Sequence, residues 1–112
     1  MIAVDTNVLV RIVVRDENQS EQAQQAQQLV KAAGTVYVPQ LVQVELVWVL
    51  EASYKLAKPD VVRVLRHLLE SDFYQLQRES YFSVALDRFE ASNAGFSDSL
   101  IATESQSEHV EL

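Results

Sequence analysis

Apolar positions along this chain follow two different periods, and the switches between them mark out its elements. Ile2-Ala3-Val4 is a short apolar, partly β-branched run ending at Asp5 and reads as a buried strand. Thr6 and Asn7 offer capping side chains for a helix carried by Val8, Leu9, Ile12 and Val13. After a polar break over residues 15–20, Ala23, Ala26, Leu29, Val30 and Ala33 recur at helical spacing, with glutamines on the other face. Gly34 closes that helix. Val36-Tyr37-Val38 is a second strand, and Pro39 opens the next element. Residues 41–50 are apolar except for Gln43 and Glu45, and they predict a helix buried on most sides, with Trp48 in the core. Pro59 suits the first turn of a further helix whose inward stripe is Val61, Val62, Leu65, Leu68 and Leu69. Phe73-Tyr74-Gln75-Leu76-Gln77 alternates with period two and predicts a third strand. Ser80 caps a helix with Phe82, Ala85, Leu86 and Phe89 on one face, ending near Asn93-Ala94-Gly95. Ser97 caps a last helix containing Leu100 and Ile101, beyond which the chain is nearly all polar and no fourth strand follows.

Strands alternating with pairs of helices predict an α/β fold with a parallel sheet covered on both faces. One domain accounts for all 112 residues. Composition narrows the chemistry. There is no Cys, which excludes disulfides, thiolate metal sites and a Cys nucleophile. Two Gly and two Pro are too few turn residues for a many-stranded sandwich or barrel. No apolar run approaches a bilayer span, and the first residues lack the pattern of a signal peptide, so a cytoplasmic protein without membrane contact is expected. Nine basic against sixteen acidic residues give a net charge of −7. That balance excludes a module that coats nucleic acid by bulk electrostatics. It allows acids to collect around a divalent cation, which then presents positive charge to a phosphate.

Three acids stand out. Asp5 ends the first strand, where open α/β sheets place their ligands. Glu45 is the only charge in the apolar block, and an unpaired buried carboxylate is costly. Asp98 opens the final helix after the Gly95-Phe96-Ser97 turn. Each has a plainer reading: Asp5 as a helix cap, Asp98 as a first-turn acid answering the helix dipole, Glu45 paired with Arg11, Arg63 or Arg66. Together, on three separate segments, they suit a hard cation such as Mg²⁺, with no softer ligand set on offer. Other candidates fall away. His67 reads as a surface or boundary residue, Asp87 as solvated, His109 as part of the polar tail, and Trp48, Phe82 and Phe89 as core. The serines lack a G-x-S-x-G setting, and no glycine-rich phosphate loop is present.

The segment Val4-Asp5-Thr6-Asn7-Val8-Leu9-Val10-Arg11 resembles the opening of PIN-domain ribonucleases, especially the VapC-like toxins of type II toxin–antitoxin pairs. The resemblance continues through Val36-Tyr37-Val38-Pro39 into Val44-Glu45-Leu46-Val47-Trp48-Val49-Leu50 and ends with Phe96-Ser97-Asp98-Ser99-Leu100-Ile101. It implies a three-layer α/β/α sandwich with a small parallel sheet and acids at its carboxyl edge. Carried over, Asp5, Glu45 and Asp98 are the catalytic, metal-binding carboxylates, with Thr6 and Asn7 orienting Asp5 or the attacking water. The implied reaction is hydrolysis of an RNA phosphodiester with Mg²⁺ or Mn²⁺, and the implied partner is an antitoxin protein.

The pattern departs from the family at one place. The usual last strand region, with its Thr-x-Asp-type acid, is missing, and Glu104, Glu108 and Glu111 have no matching motif. The expectation is therefore a single PIN-like domain over residues 1–112, shortened at its C-terminus. Without that neighbour the first strand becomes an edge, which predicts a homodimer or higher oligomer using that edge or the C-terminal segment. Two further readings stand beside the ribonuclease: a catalytically impaired PIN-like remnant serving as an antitoxin-binding or assembly module, and a phosphohydrolase acting on something other than RNA.

Overall fold

A computed structural model describes residues 2–14 and 34–107. The helix expected over residues 20–33 lies outside the described residues, as does the segment 108–112 with Glu108, His109 and Glu111. The order is β1 (Ile2–Ala3), α1 (Thr6–Val14), β2 (Val36–Val38), α2 (Gln40–Ala52), α3 (Lys58–Glu70), β3 (Tyr74–Leu76), α4 (Glu79–Ala91) and α5 (Phe96–Ser107). The three strands are parallel and lie in the order β1-β2-β3, with Ile2 opposite Val36, and Val36 opposite Tyr74. Consecutive parallel strands need a crossover, and the helices supply it. This is the expected α/β architecture with its small parallel sheet. Among the described residues, no helix is long and apolar enough to cross a membrane.

The core follows the predicted stripes. Val36 and Val38 of β2 are fully buried, with Leu65 and Leu68 of α3, Phe82 and Leu86 of α4, and Leu46 and Leu50 of α2. Phe96 inserts from the start of α5 and meets the rings of Phe82 and Phe89 edge to face at 5.5 and 6.0 Å between centroids. Pro59 does occupy the first turn of α3. Helix α5 packs along α4 and also reaches α2.

Four local expectations need correction. Trp48 is not in the core: it is 67% exposed. Helix α2 is not buried on most sides, because its hundred-degree step puts Gln43, Leu46, Val47 and Leu50 on the sheet-facing stripe and Leu41, Glu45 and Trp48 on the outer one. Ser80 is not the cap of α4; Arg78 occupies that place in a left-handed conformation, with no side-chain cap. Ser97 is not the cap of α5 either: the helix already begins at Phe96, and it runs on through the polar stretch to Ser107, with the Thr103 hydroxyl donating to the Ser99 carbonyl at 2.8 Å.

Candidate functional site

The first strand hands over to α1 through three consecutive residues with different tasks. Val4 is buried, Asp5 is exposed and Thr6 is buried again. Asp5 caps the helix: its Oδ1 accepts the Val8 amide at 2.9 Å, and its carbonyl accepts the Leu9 amide at 3.1 Å. Thr6 and Asn7 therefore do not supply the cap. The Thr6 hydroxyl instead donates to Oε2 of Glu45 at 2.6 Å, across 39 residues of sequence. This short, charge-assisted bond ties the outer face of α2 to the carboxyl end of β1. Glu45 is thus partnered by a hydroxyl and not by Arg11, Arg63 or Arg66. Arg63 is engaged with Asp60, and Arg66 with Asp87 and Glu90.

Glu45 is thereby bonded to the residue that follows Asp5 in the chain, and no direct bond joins the two carboxylates among the described residues. Among the described residues nothing bonds to Oδ2 of Asp5 or Oε1 of Glu45, so one carboxylate oxygen of each remains available. Asn7 is exposed beside them on the first turn of α1. Asp98 lies in the first turn of α5 and is exposed. It lines a hollow of about 350 Å³ with Arg88, Ser92 and Ser99, and neither Asp5 nor Glu45 lines that hollow. No three His, Asp or Glu residues among those described are grouped closely enough to hold a metal by themselves. The donors present are nevertheless hard oxygens, and Mg²⁺ is commonly held by one or two carboxylates while keeping several waters. Asp5 and Glu45 fit that mode.

A second set of polar residues lies at the same edge of the sheet, only faintly signalled in the linear pattern. Gln43 is completely buried, and its Nε2 donates to the carbonyls of Val38 and Gln77 at 3.1 and 2.9 Å. It clips β2 to β3 just past their last paired residues. Its Oε1 has no partner. Gln77 in turn accepts the Gln40 amide through Oε1 at 2.8 Å, at the head of α2. Glu104, from α5, takes the Gln40 side-chain amide and the Arg78 guanidinium, the latter at 3.3 Å. The signal that was available is the pair of polar residues inside the apolar block. Glu45 attracted attention for its charge, yet Gln43 is the one on the buried stripe.

Known proteins resemble this chain. The family model described as "PIN domain" matches residues 2–112. The chain is similar to a VapC ribonuclease of Aquifex aeolicus (strain VF5), 26% identical over 101 residues, covering 89% of this chain and 75% of that protein.

Proposed function

The chain belongs to the PIN-domain family, and on that premise we propose that it is an endoribonuclease dependent on Mg²⁺ or Mn²⁺, the toxin of a toxin–antitoxin pair. The observation that carries the proposal is the Thr6–Glu45 bond at the carboxyl end of β1, which ties Glu45 to the residue after Asp5, at the edge where a parallel sheet presents its ligands. The name of the Aquifex relative supports the same activity.

In this reading the free oxygens of Asp5 and Glu45 would hold the cation. Asp98 is the third acid, assigned through its motif in the first turn of α5. When bound, the ion supplies a water of lowered pKa and neutralises charge on the scissile phosphate. The chain's own contribution is orientation. Thr6 fixes one oxygen of Glu45 and thereby aims the other, while the α1 amide of Val8 does the same for Asp5. Asn7 offers an amide next to Asp5 for the attacking water or a phosphate oxygen. The substrate is RNA, the protein partner is an antitoxin, and the chain works as a homodimer or higher oligomer in the cytoplasm.

The test is RNA cleavage with Mg²⁺ or Mn²⁺ by the native chain and by Asp5→Asn and Glu45→Gln. Cleavage is expected from the native chain alone and is abolished by excess chelator. Full activity in either variant, or activity that survives chelation, rejects the metal site. A native chain that cleaves nothing but still binds an antitoxin belongs to the impaired-module reading instead.

A further inference from the structure

Arg78 occupies the junction between β3 and α4 with φ 52° and ψ 53°, a left-handed conformation. A side chain with a Cβ is strained there, and glycine is the residue that relieves it. Backbone strain of this kind gathers at functional sites, and this instance lies at the carboxyl edge of the sheet. The guanidinium is well placed to meet solvent. Its side chain is 49% exposed, lies 5.7 Å from the Tyr81 ring centre, and makes a single 3.3 Å contact with Glu104. Such a solvent-exposed pair is weak and exchangeable.

Of the other described cations, four are more fully engaged. Arg66 bridges two acids, Arg63 is closed on Asp60, Lys58 sits on the Phe89 ring and the Ser92 carbonyl, and Arg88 is bonded to Gln106. Arg11 and Lys55 are in no ion pair among the described residues, and Lys55 shares the left-handed conformation with φ 54°. Arg11, however, lies in the last turn of α1 and Lys55 beyond the last turn of α2, both away from the helix starts at the carboxyl edge. Arg78 is also tied to the helix that carries Glu45. Gln77 holds the Gln40 amide, and Gln40 shares Glu104 with Arg78, so this junction is bonded to the head of the helix that carries Glu45. Gln40 and Glu45 are five residues apart, about 7.5 Å along the helix axis.

We propose that Arg78 is a contact for the RNA backbone, gripping a phosphate that flanks the one at Asp5 and Glu45, with Glu104 holding the guanidinium until RNA displaces it. The proposal rests on the ribonuclease reading for its choice of ligand. A net charge of −7 gives the edge a use for such a residue, since the acids there repel a polyanion wherever no cation faces it.

The test measures binding of labelled single-stranded oligoribonucleotides of two unrelated sequences by fluorescence anisotropy, in an Asp5→Asn background that does not cleave. Adding Arg78→Gly is expected to weaken both by roughly three- to tenfold and to flatten the logarithmic salt dependence by about 0.7, the signature of one lost phosphate contact. Arg78→Lys keeps the charge and retains most of the affinity. Glu104→Gln tightens binding when Arg78 is present and changes nothing in Arg78→Gly. The melting temperature of Arg78→Gly stays level or rises, which separates lost binding from lost folding. Equal affinity with Arg78 and with Gly, or no RNA binding in either, overturns the assignment. Failure of the native chain to cleave RNA overturns the nuclease reading alone, because the binding comparison still decides Arg78.

Discussion

One oxygen of Asp5 accepts the Val8 amide and the other has no partner among the described residues, so substitutions here separate folding from chemistry. Asparagine caps a helix about as well as aspartate, whereas alanine does not. Asp5→Asn is therefore expected to melt close to the native chain, and Asp5→Ala to lose about 1 kcal/mol by urea denaturation. Both are expected to lose metal-dependent cleavage. If the two melt alike, the cap contributes nothing and the carboxylate is there for another reason. Thr6 allows a similar separation. Thr6→Val keeps the buried shape but removes the donor to Glu45, while Thr6→Ser keeps the donor. The expected result is a fall in cleavage rate of tenfold or more for Val and near-native turnover for Ser, in the range that lost supports of metal ligands commonly cost. Asp5 was legible as a candidate because it ends a strand. The Thr6–Glu45 bond was not, because nothing in a linear sequence relates residues 39 apart.

Helix α2 is the element where sequence and structure part most clearly. Eight apolar residues in a block of ten imply burial all round. The structure turns Leu41 and Trp48 outward, 69% and 67% exposed, on either side of Glu45. Hydrophobicity tells which residues are able to be buried; the neighbours decide which are. Helices α1, α3 and α5 pack against this helix, and the side bearing Leu41 and Trp48 is left open. A paired substitution tests the assignment of faces. Leu46→Ala and Leu50→Ala, both at fully buried positions, are expected to cost about 2–5 kcal/mol each. Trp48→Gln is expected to change stability by less than about 0.5 kcal/mol, as surface substitutions do. A large loss at Trp48 in equilibrium unfolding would put it back in the core. Elsewhere the stripes were readable: Val61, Val62, Leu65 and Leu68 of α3 are all buried, as are Phe82, Ala85, Leu86 and Phe89 of α4. Amphipathic helices announce their inner face, and an apolar helix does not. The left-handed turn at Arg78 was hidden for a related reason, since arginine gives no hint of a backbone that glycine would favour.

At the scale of the whole molecule, an open edge and exposed apolar side chains meet a strong net charge. Strand β1 has β2 on one side and, among the described residues, no strand on the other. Unpaired strand edges invite another chain. Leu41 and Trp48 on one stripe of α2, with Val84 and Ile101 elsewhere, add exposed apolar surface. Against this, a charge of −7 on each copy opposes close approach, and that repulsion is screened by salt while apolar contact is not. Self-association should therefore strengthen as salt rises from about 0.01 to 0.15 M, where the screening length shrinks from roughly 30 to 8 Å. Sedimentation velocity across the micromolar range is expected to show a dimer or larger species at the higher salt and a shift toward monomer at the lower. An association that weakens with salt would mean that ion pairs hold the copies together. A compact monomer at every concentration and both salts would show that this three-stranded sheet tolerates its open edge. The single Trp of the chain adds a local readout, because its emission should move to shorter wavelength on association only if the Trp48 face is the one that becomes covered.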